Sequence, residues 1–362
     1  MRRRSGRVGP RVLVSLLLAA FVAAQGAPRD DPGEPGDADR AFDSARPLVV
    51  VFVGEPWWNE SRRHFAASLR PGKVVTIRKG DRWYVLPGKF IGGISRSLAA
   101  NPDFKSADLA GLVEEMREKD VPGLSLAGCS SIRDDDLRLL ARVPKLRHLV
   151  LGGGWEPPLI TAEGLTHLQA LEELETLDLA GLSSFVFAPS PLLARLGIEG
   201  VRDGGKRDGV TDEQLQPLNL LGSLGEVDLS LCPRITAKAL AHLKGLKNLH
   251  TLRLRGTNLG DDAIAEIARF AGKITDLSLA CTPITDESLP VLAALRHLTR
   301  LDITGCVHLT DAGLMSLAAS ESLRQVVVNC PRRWGYRHEY EHISRAGLKA
   351  LARAMPRCEM LA

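Results

Sequence analysis

The pentad His338-Glu339-Tyr340-Glu341-His342 has the residue types and spacing of a hydrolytic zinc site. On a helix, two histidines four apart meet one metal ion, and the glutamate between them activates its water. The surrounding pattern places the pentad elsewhere. Ile343 aligns with Leu309, Ile284 and Ile235, apolar residues that precede successive helix starts, so the pentad falls in a loop ahead of a helix. The sequence places no third ligand, and a zinc-dependent hydrolase on His338, Glu339 and His342 is the lesser alternative. Gly200 to Arg207 (GVRDGGKR) has the glycines and lysine of a phosphate-binding loop, but Arg207 stands where a magnesium-holding Ser or Thr is needed. Nucleotide binding is therefore not expected, and no catalytic residue, cofactor or metal ligand is assigned.

The six cysteines offer a second chemistry, disulfide formation. Cys129, Cys232 and Cys306 each stand three residues after the second apolar residue of a short apolar-x-apolar stretch, where Thr257 and Thr282 stand in other units. That position calls for a small group that hydrogen-bonds the backbone of a turn, giving a ladder from unit to unit. Cys129 and Cys232 fall four expected strands apart, about 19 Å by strand spacing, against a Cα limit near 7 Å for a bridge. Cys281 and Cys330 lie one position off the ladder. Free, buried thiols are expected.

The elements that would position these residues repeat along the chain. Strand starts fall at Leu124, Leu149, Leu177, Leu196, Val227, Leu252, Leu277, Leu301 and Val326, at intervals of 25, 28, 19, 31, 25, 25, 24 and 25 residues. Because 19 and 31 sum to two regular periods, Leu196-Gly197-Ile198 reads as a degenerate strand. A tenth strand is expected near Cys358–Leu361, and a helix after Phe104 leads into the array. Thr211-Asp212, Thr285-Asp286 and Thr310-Asp311 read as helix N-caps followed by a first-turn acid, and Thr211 with Gln214 has capping-box spacing.

The N-terminal region differs. Residues 1–26 combine five arginines, no acid and an apolar run from Val12 to Ala24, the pattern of an export signal. That run is shorter than the roughly 20 residues of a membrane span. Without those arginines the formal charge of +4 becomes +4 − 5 = −1, which gives no reason to expect nucleic acid as a partner. Residues 27–46, rich in Pro, Gly and Asp, read as a disordered linker. Residues 47–103 read as a cap region, with a strand over Leu48–Val53, a helix over Asn59–Leu69 and a hairpin about Lys79-Gly80-Asp81. It holds Trp57, Trp58 and Trp83, with Arg62, Arg63, Arg78 and Arg82 close by. An aromatic recognition module is the rival to the cap.

From about residue 104 the pattern LxLxxCxxITDxGLxxLAxLxxL resembles the cysteine-containing subfamily of leucine-rich repeats. The resemblance implies an α/β solenoid, a horseshoe with a parallel sheet on the concave side and helices outside, over residues 104–362. It also implies binding rather than catalysis. Ubiquitin-ligase members of the subfamily carry an adaptor-binding box before the repeats, and residues 47–103 show no match to it.

In such a solenoid the outward strand positions form a ribbon of mixed charge. Arg253, Arg255, Arg300, Asp228 and Asp302 are the expected contacts there, since alternating signs suit a folded protein partner. Trp155, Trp334 and Tyr336 join them from insertions that emerge on the strand-to-helix rim, with residue types common at binding hot spots. The expectation is an exported, non-catalytic protein-binding scaffold, periplasmic, in the cell envelope or extracellular. It would meet a membrane only through an uncleaved signal. A structural envelope protein without a dedicated ligand is the other alternative.

Overall fold

The computed structural model describes residues 39–53, 64–69, 72–78, 80–87, 104–152, 158–182, 210–270, 272–328 and 343–361. Among them run fourteen strands: β1 Arg40–Phe42, β2 Leu48–Val53, β3 His64–Leu69, β4 Val75–Ile77, β5 Trp83–Pro87, β6 Gly123–Ser125, β7 His148–Val150, β8 Thr176–Asp178, β9 Glu226–Asp228, β10 Thr251–Arg253, β11 Asp276–Ser278, β12 Arg300–Asp302, β13 Gln325–Val327 and β14 Glu359–Leu361. Twelve form one sheet, ordered β14 to β6 and then β5, β2, β3.

From β6 to β14 every neighbouring pair is parallel and in register. Strand residues alternate between faces, so Leu124, Leu149, Leu177, Val227, Leu252, Leu277, Leu301 and Val326 stack on one inner row. All eight are buried. Short α and 3-10 segments cover the other side, each adding leucines to a continuous core, as Leu240, Leu243, Leu289, Leu292, Leu314 and Leu317 do. The array is the expected leucine-rich-repeat solenoid.

Four local expectations are corrected. The linker expected over residues 27–46 does not extend through its last residues, since Arg40–Phe42 forms β1 and pairs with β4. No rung stands where Leu196-Gly197-Ile198, outside the described residues, is expected to supply one: β8 pairs directly with β9, and Leu179 N–H donates to Asp228 O at 2.9 Å. The chain therefore spends two periods on a single step, and Leu177 stands in register with Val227. Cys129 and Cys232 thus stand three rungs apart, about 14 Å, still too far to bridge. Next, His64–Leu69 is a strand rather than the end of a helix, because it pairs antiparallel with β2 along its whole length. Finally, the Lys79-Gly80-Asp81 turn does not close a hairpin. β4 pairs with β1, while β5 pairs with β2 and β6, so this turn carries the chain from a two-stranded ribbon into the main sheet. Residues 1–38 lie outside the described residues, and none of the described helices is long and apolar enough to cross a membrane.

The turns after β6, β8, β9, β10, β11 and β12 each hold one residue in the left-handed region. Gly128, Gly181, Gly256 and Gly305 supply it without a Cβ penalty, but Leu231 and Cys281 occupy the same position at φ 59° and 56°. A left-handed L-residue costs roughly 1–2 kcal/mol, and glycine returns part of that as chain entropy. Leu231→Gly and Cys281→Gly should therefore each stabilise the fold, by up to about 1 kcal/mol, read as a higher urea midpoint at unchanged slope.

Thr310 and Thr285 cap their helices as expected, Thr310 Oγ1 accepting from Gly313 N–H and Thr285 Oγ1 from Glu287 N–H, each at 3.3 Å, whereas Thr211 accepts no cap bond. The aspartate of each pair reaches further. Asp286 accepts from both the N–H (2.8 Å) and the hydroxyl (2.6 Å) of Thr310 in the following repeat. Asp134 clasps Thr161 in the same way, Asp212 clasps Thr236, Asp261 clasps Thr285 and Asp311 clasps Ser344. The carboxylate of Asp286 fills the space a Cβ would take at Gly313, 2.0 Å away. Where the giving position holds alanine, no clasp forms. Thr211 follows Ala162, and its N–H turns instead to Gln214 Oε1 at 3.0 Å.

Candidate functional site

Outward strand positions decide what the sheet shows to a partner. Arg253, Arg255, Arg300, Asp228 and Asp302 come together on one face of four consecutive strands, β9 to β12. Arg253 sits in register beside Asp228, and Ser278 beside Asp302. The two aspartates are only 8% and 5% exposed. Each accepts a backbone N–H two residues on, Asp228 from Ser230 at 2.9 Å and Asp302 from Thr304 at 3.0 Å, and Asp302 also accepts from Ser278 Oγ at 3.0 Å. They shape the strand ends. The arginines reach further out: Arg300 pairs with Asp276 at 2.7 Å and keeps 35% of its side chain exposed.

Glu226 is the hub of this face. It pairs with Arg253 at 3.7 Å and with Arg82 of the N-terminal segment at 2.8 Å. Burial alone would raise its carboxyl, but Arg253 and Arg82 outweigh it and hold the group below the usual range. Arg82 also donates to Thr176 Oγ1 at 3.1 Å, and Thr176 meets His148 Nδ1 at 3.2 Å. Burial, then the charge of Arg82, pushes His148 down to about 4. The N-terminal segment therefore extends the sheet and also folds over the helix-to-strand edge, the rim opposite the one the insertions suggested. Arg82 and Glu226 are 144 residues apart in the chain, so spacing alone does not reveal their pairing.

The cysteines behave as the ladder requires. Cys129, Cys232, Cys281, Cys306 and Cys358 are free. Cys306 Sγ donates to Leu279 O of the preceding repeat at 3.1 Å, as Cys232 Sγ does to Leu179 O at 3.5 Å, whereas Thr282 Oγ1 donates to Leu279 O of its own turn at 2.6 Å. Burial pushes Cys129, Cys232 and Cys306 up to about 12, so these thiols are poor nucleophiles. Among the described residues no three His, Cys, Asp or Glu gather as a metal site. Trp155, Trp334, Tyr336, the His338–His342 pentad and the Gly200–Arg207 loop lie outside the described residues.

A family described as "Leucine Rich repeat" matches residues 294–318, which hold β12 and the Thr310 cap. The "Putative RNA-binding protein EEED8.10" of Caenorhabditis elegans is 27% identical over 209 residues, 53% of this chain and 27% of that protein. The "F-box/LRR-repeat protein 4" of Bos taurus is 29% identical over 101 residues, 27% of this chain and 16% of that protein. The chain thus spans about a quarter or less of these relatives' own length. Among solved structures, an internalin (inlF) from Listeria monocytogenes matches at 18% identity and TM-score 0.42, covering 70% of this chain and 62% of that one. A TLR13–ssRNA13 complex matches at 18% and 0.40, covering 60% and 26%. Likenesses of this size carry no argument about function. The repeat period, the in-register parallel rungs and the matched repeat together make this chain a leucine-rich-repeat solenoid.

Proposed function

We propose that the chain is an exported, non-catalytic scaffold that binds a folded protein partner across strands β9 to β12. The observation that carries this reading is the strip of opposite charges on that face, where Arg253, Arg255 and Arg300 stand among Glu226, Asp276 and the strand-end aspartates. Charges set side by side in alternating sign steer and register a protein surface and repel a uniformly charged polymer. Trp155, Trp334 and Tyr336 would add aromatic anchors from the strand-to-helix rim. Export rests on the N-terminal segment, Arg2 to Ala24.

The test is affinity capture by residues 27–362 from the envelope and medium of the source cells. A variant carrying Arg253→Glu, Arg255→Glu and Trp334→Ala serves as control. A discrete protein bound by the first, with affinity reduced about tenfold or more in the second, supports the reading. Equal retention by both would remove the concave face from it. Metal analysis of the same preparation separates the lesser alternative, since a hydrolase would hold zinc in a fixed ratio and lose it with His342→Ala.

A further inference from the structure

We infer a second binding site, on the helix-to-strand edge of the sheet: a cleft of about 670 Å³, roofed by the N-terminal segment, that holds a carboxylate borne by an extended peptide or a small acid. Its floor is made by the residues that lead into β6 to β10, its roof by Arg78 and Gly80 to Trp83. Arg82 fastens roof to floor through Glu226 and Thr176. The volume is that of a small-ligand site.

Four carboxylates line the cleft, and each is engaged. Glu226 is held by Arg82 and Arg253, Asp120 by Lys145 at 3.3 Å, and Glu175 lies 3.9 Å from Arg147, which also pairs with Glu173 outside the cleft at 3.4 Å. Asp81 accepts the backbone N–H of Arg78 at 2.9 Å. Five cations line it, Arg40, Arg78, Arg82, Lys145 and Arg147, one more than the acids. Among the described residues the Arg78 guanidinium has no acidic partner.

The floor adds a built donor. His148 is 6% exposed. Its Nδ1 meets Thr176 Oγ1, the hydroxyl that accepts from Arg82, at 3.2 Å, and among the described residues its Nε2 has no hydrogen-bond partner. In the tautomer whose Nδ1 accepts from Thr176, the Nε2 proton is offered to a ligand in the cleft. At Gly225 a side chain would meet His250 Nε2 at 2.7 Å, so the missing Cβ lets that ring lie along the floor. One surplus cation with a neutral N–H donor matches a singly charged carboxylate. It is too little for a phosphate dianion.

The site stands independently of the concave-face reading, and its test keeps the two apart. Calorimetric titration of residues 27–362 would use three probes: the acetylated peptide amide Gly-Ser-Asp-Ser-Gly-Ser, its Asn counterpart, and butyrate. The Asp peptide or butyrate should bind with a Kd below about 1 mM, and the Asn peptide about tenfold or more weaker. Binding of the peptide alone assigns the source to a peptide; binding of butyrate assigns it to a small acid. Arg78→Ala with Arg147→Ala, both exposed positions, should lower affinity about tenfold with unchanged circular dichroism, while Arg255→Glu should leave it unaltered. If no probe binds, if Asp and Asn peptides bind alike, or if the double variant binds as well as the parent, the proposal is wrong.

Discussion

Asp261→Ala is expected to destabilise the protein by about 3 kcal/mol, because one carboxylate satisfies three donors of the next repeat, at about 1 kcal/mol or more for each charge-assisted bond. Thr285 N–H and Oγ1 donate to it at 2.9 and 2.7 Å, and Ser288 Oγ donates as well. Removing it leaves a helix-start N–H without its acceptor. The neighbouring Asp262→Ala, at an exposed position, should change the urea midpoint little. A double-mutant cycle with Thr285→Ala should return a coupling of about 1–2 kcal/mol. No measurable coupling would reduce the clasp to surface decoration. Burial opposes ionisation of Asp261, but bonds from Ser288 and Thr285 outweigh it and hold the carboxyl below its ordinary 3.8. The clasp is thus fully present above that value and is lost as pH falls through the lower native one.

The second large effect is acid sensitivity centred on His148. Its native value is about 4, against 6.5 when unperturbed. Between those values the unfolded chain binds a proton that the folded chain refuses, so stability falls as pH drops from 6.5 to 4. A gap of that size corresponds to about 3 kcal/mol. Urea unfolding at several pH values should show this slope, and His148→Gln should flatten it whatever that change does to stability at neutral pH. A slope that survives the substitution would place the titrating group elsewhere.

The rungs were legible because burial on one face forces an apolar residue at every second strand position, and stacking forces the same register in each unit. The cysteine ladder followed from register alone, and so did the threonine caps. The aspartates misled twice. A first-turn acid explains Asp286 locally, but its partner lies in the next repeat, which spacing within one helix cannot reveal. Asp228 and Asp302 read as surface contacts, whereas the small or hydroxyl residue two places on, Ser230 and Thr304, signals an acid folded back on its own turn. The Leu196 rung failed because a period counts residues and says nothing of which strands hydrogen-bond. The edge cleft was invisible for a related reason: its roof and floor are joined by pairs far apart in the chain.

The clasp skips two seams, from Ala162 to Thr211 and from Ala237 to Gly260, where the giving aspartate is absent. In a solenoid each interface adds its own increment to stability. The clasped run from Asp261 through Thr285 and Thr310 to Ser344 thus behaves as one cooperative unit, and the Ala237–Gly260 seam is where it parts most easily from the rest. On the sheet side that seam is crossed by Arg253 reaching Glu226, which Arg82 holds from the N-terminal segment. A partner that drew Arg253 to itself would loosen the seam, so recognition and the latch would compete for a single guanidinium.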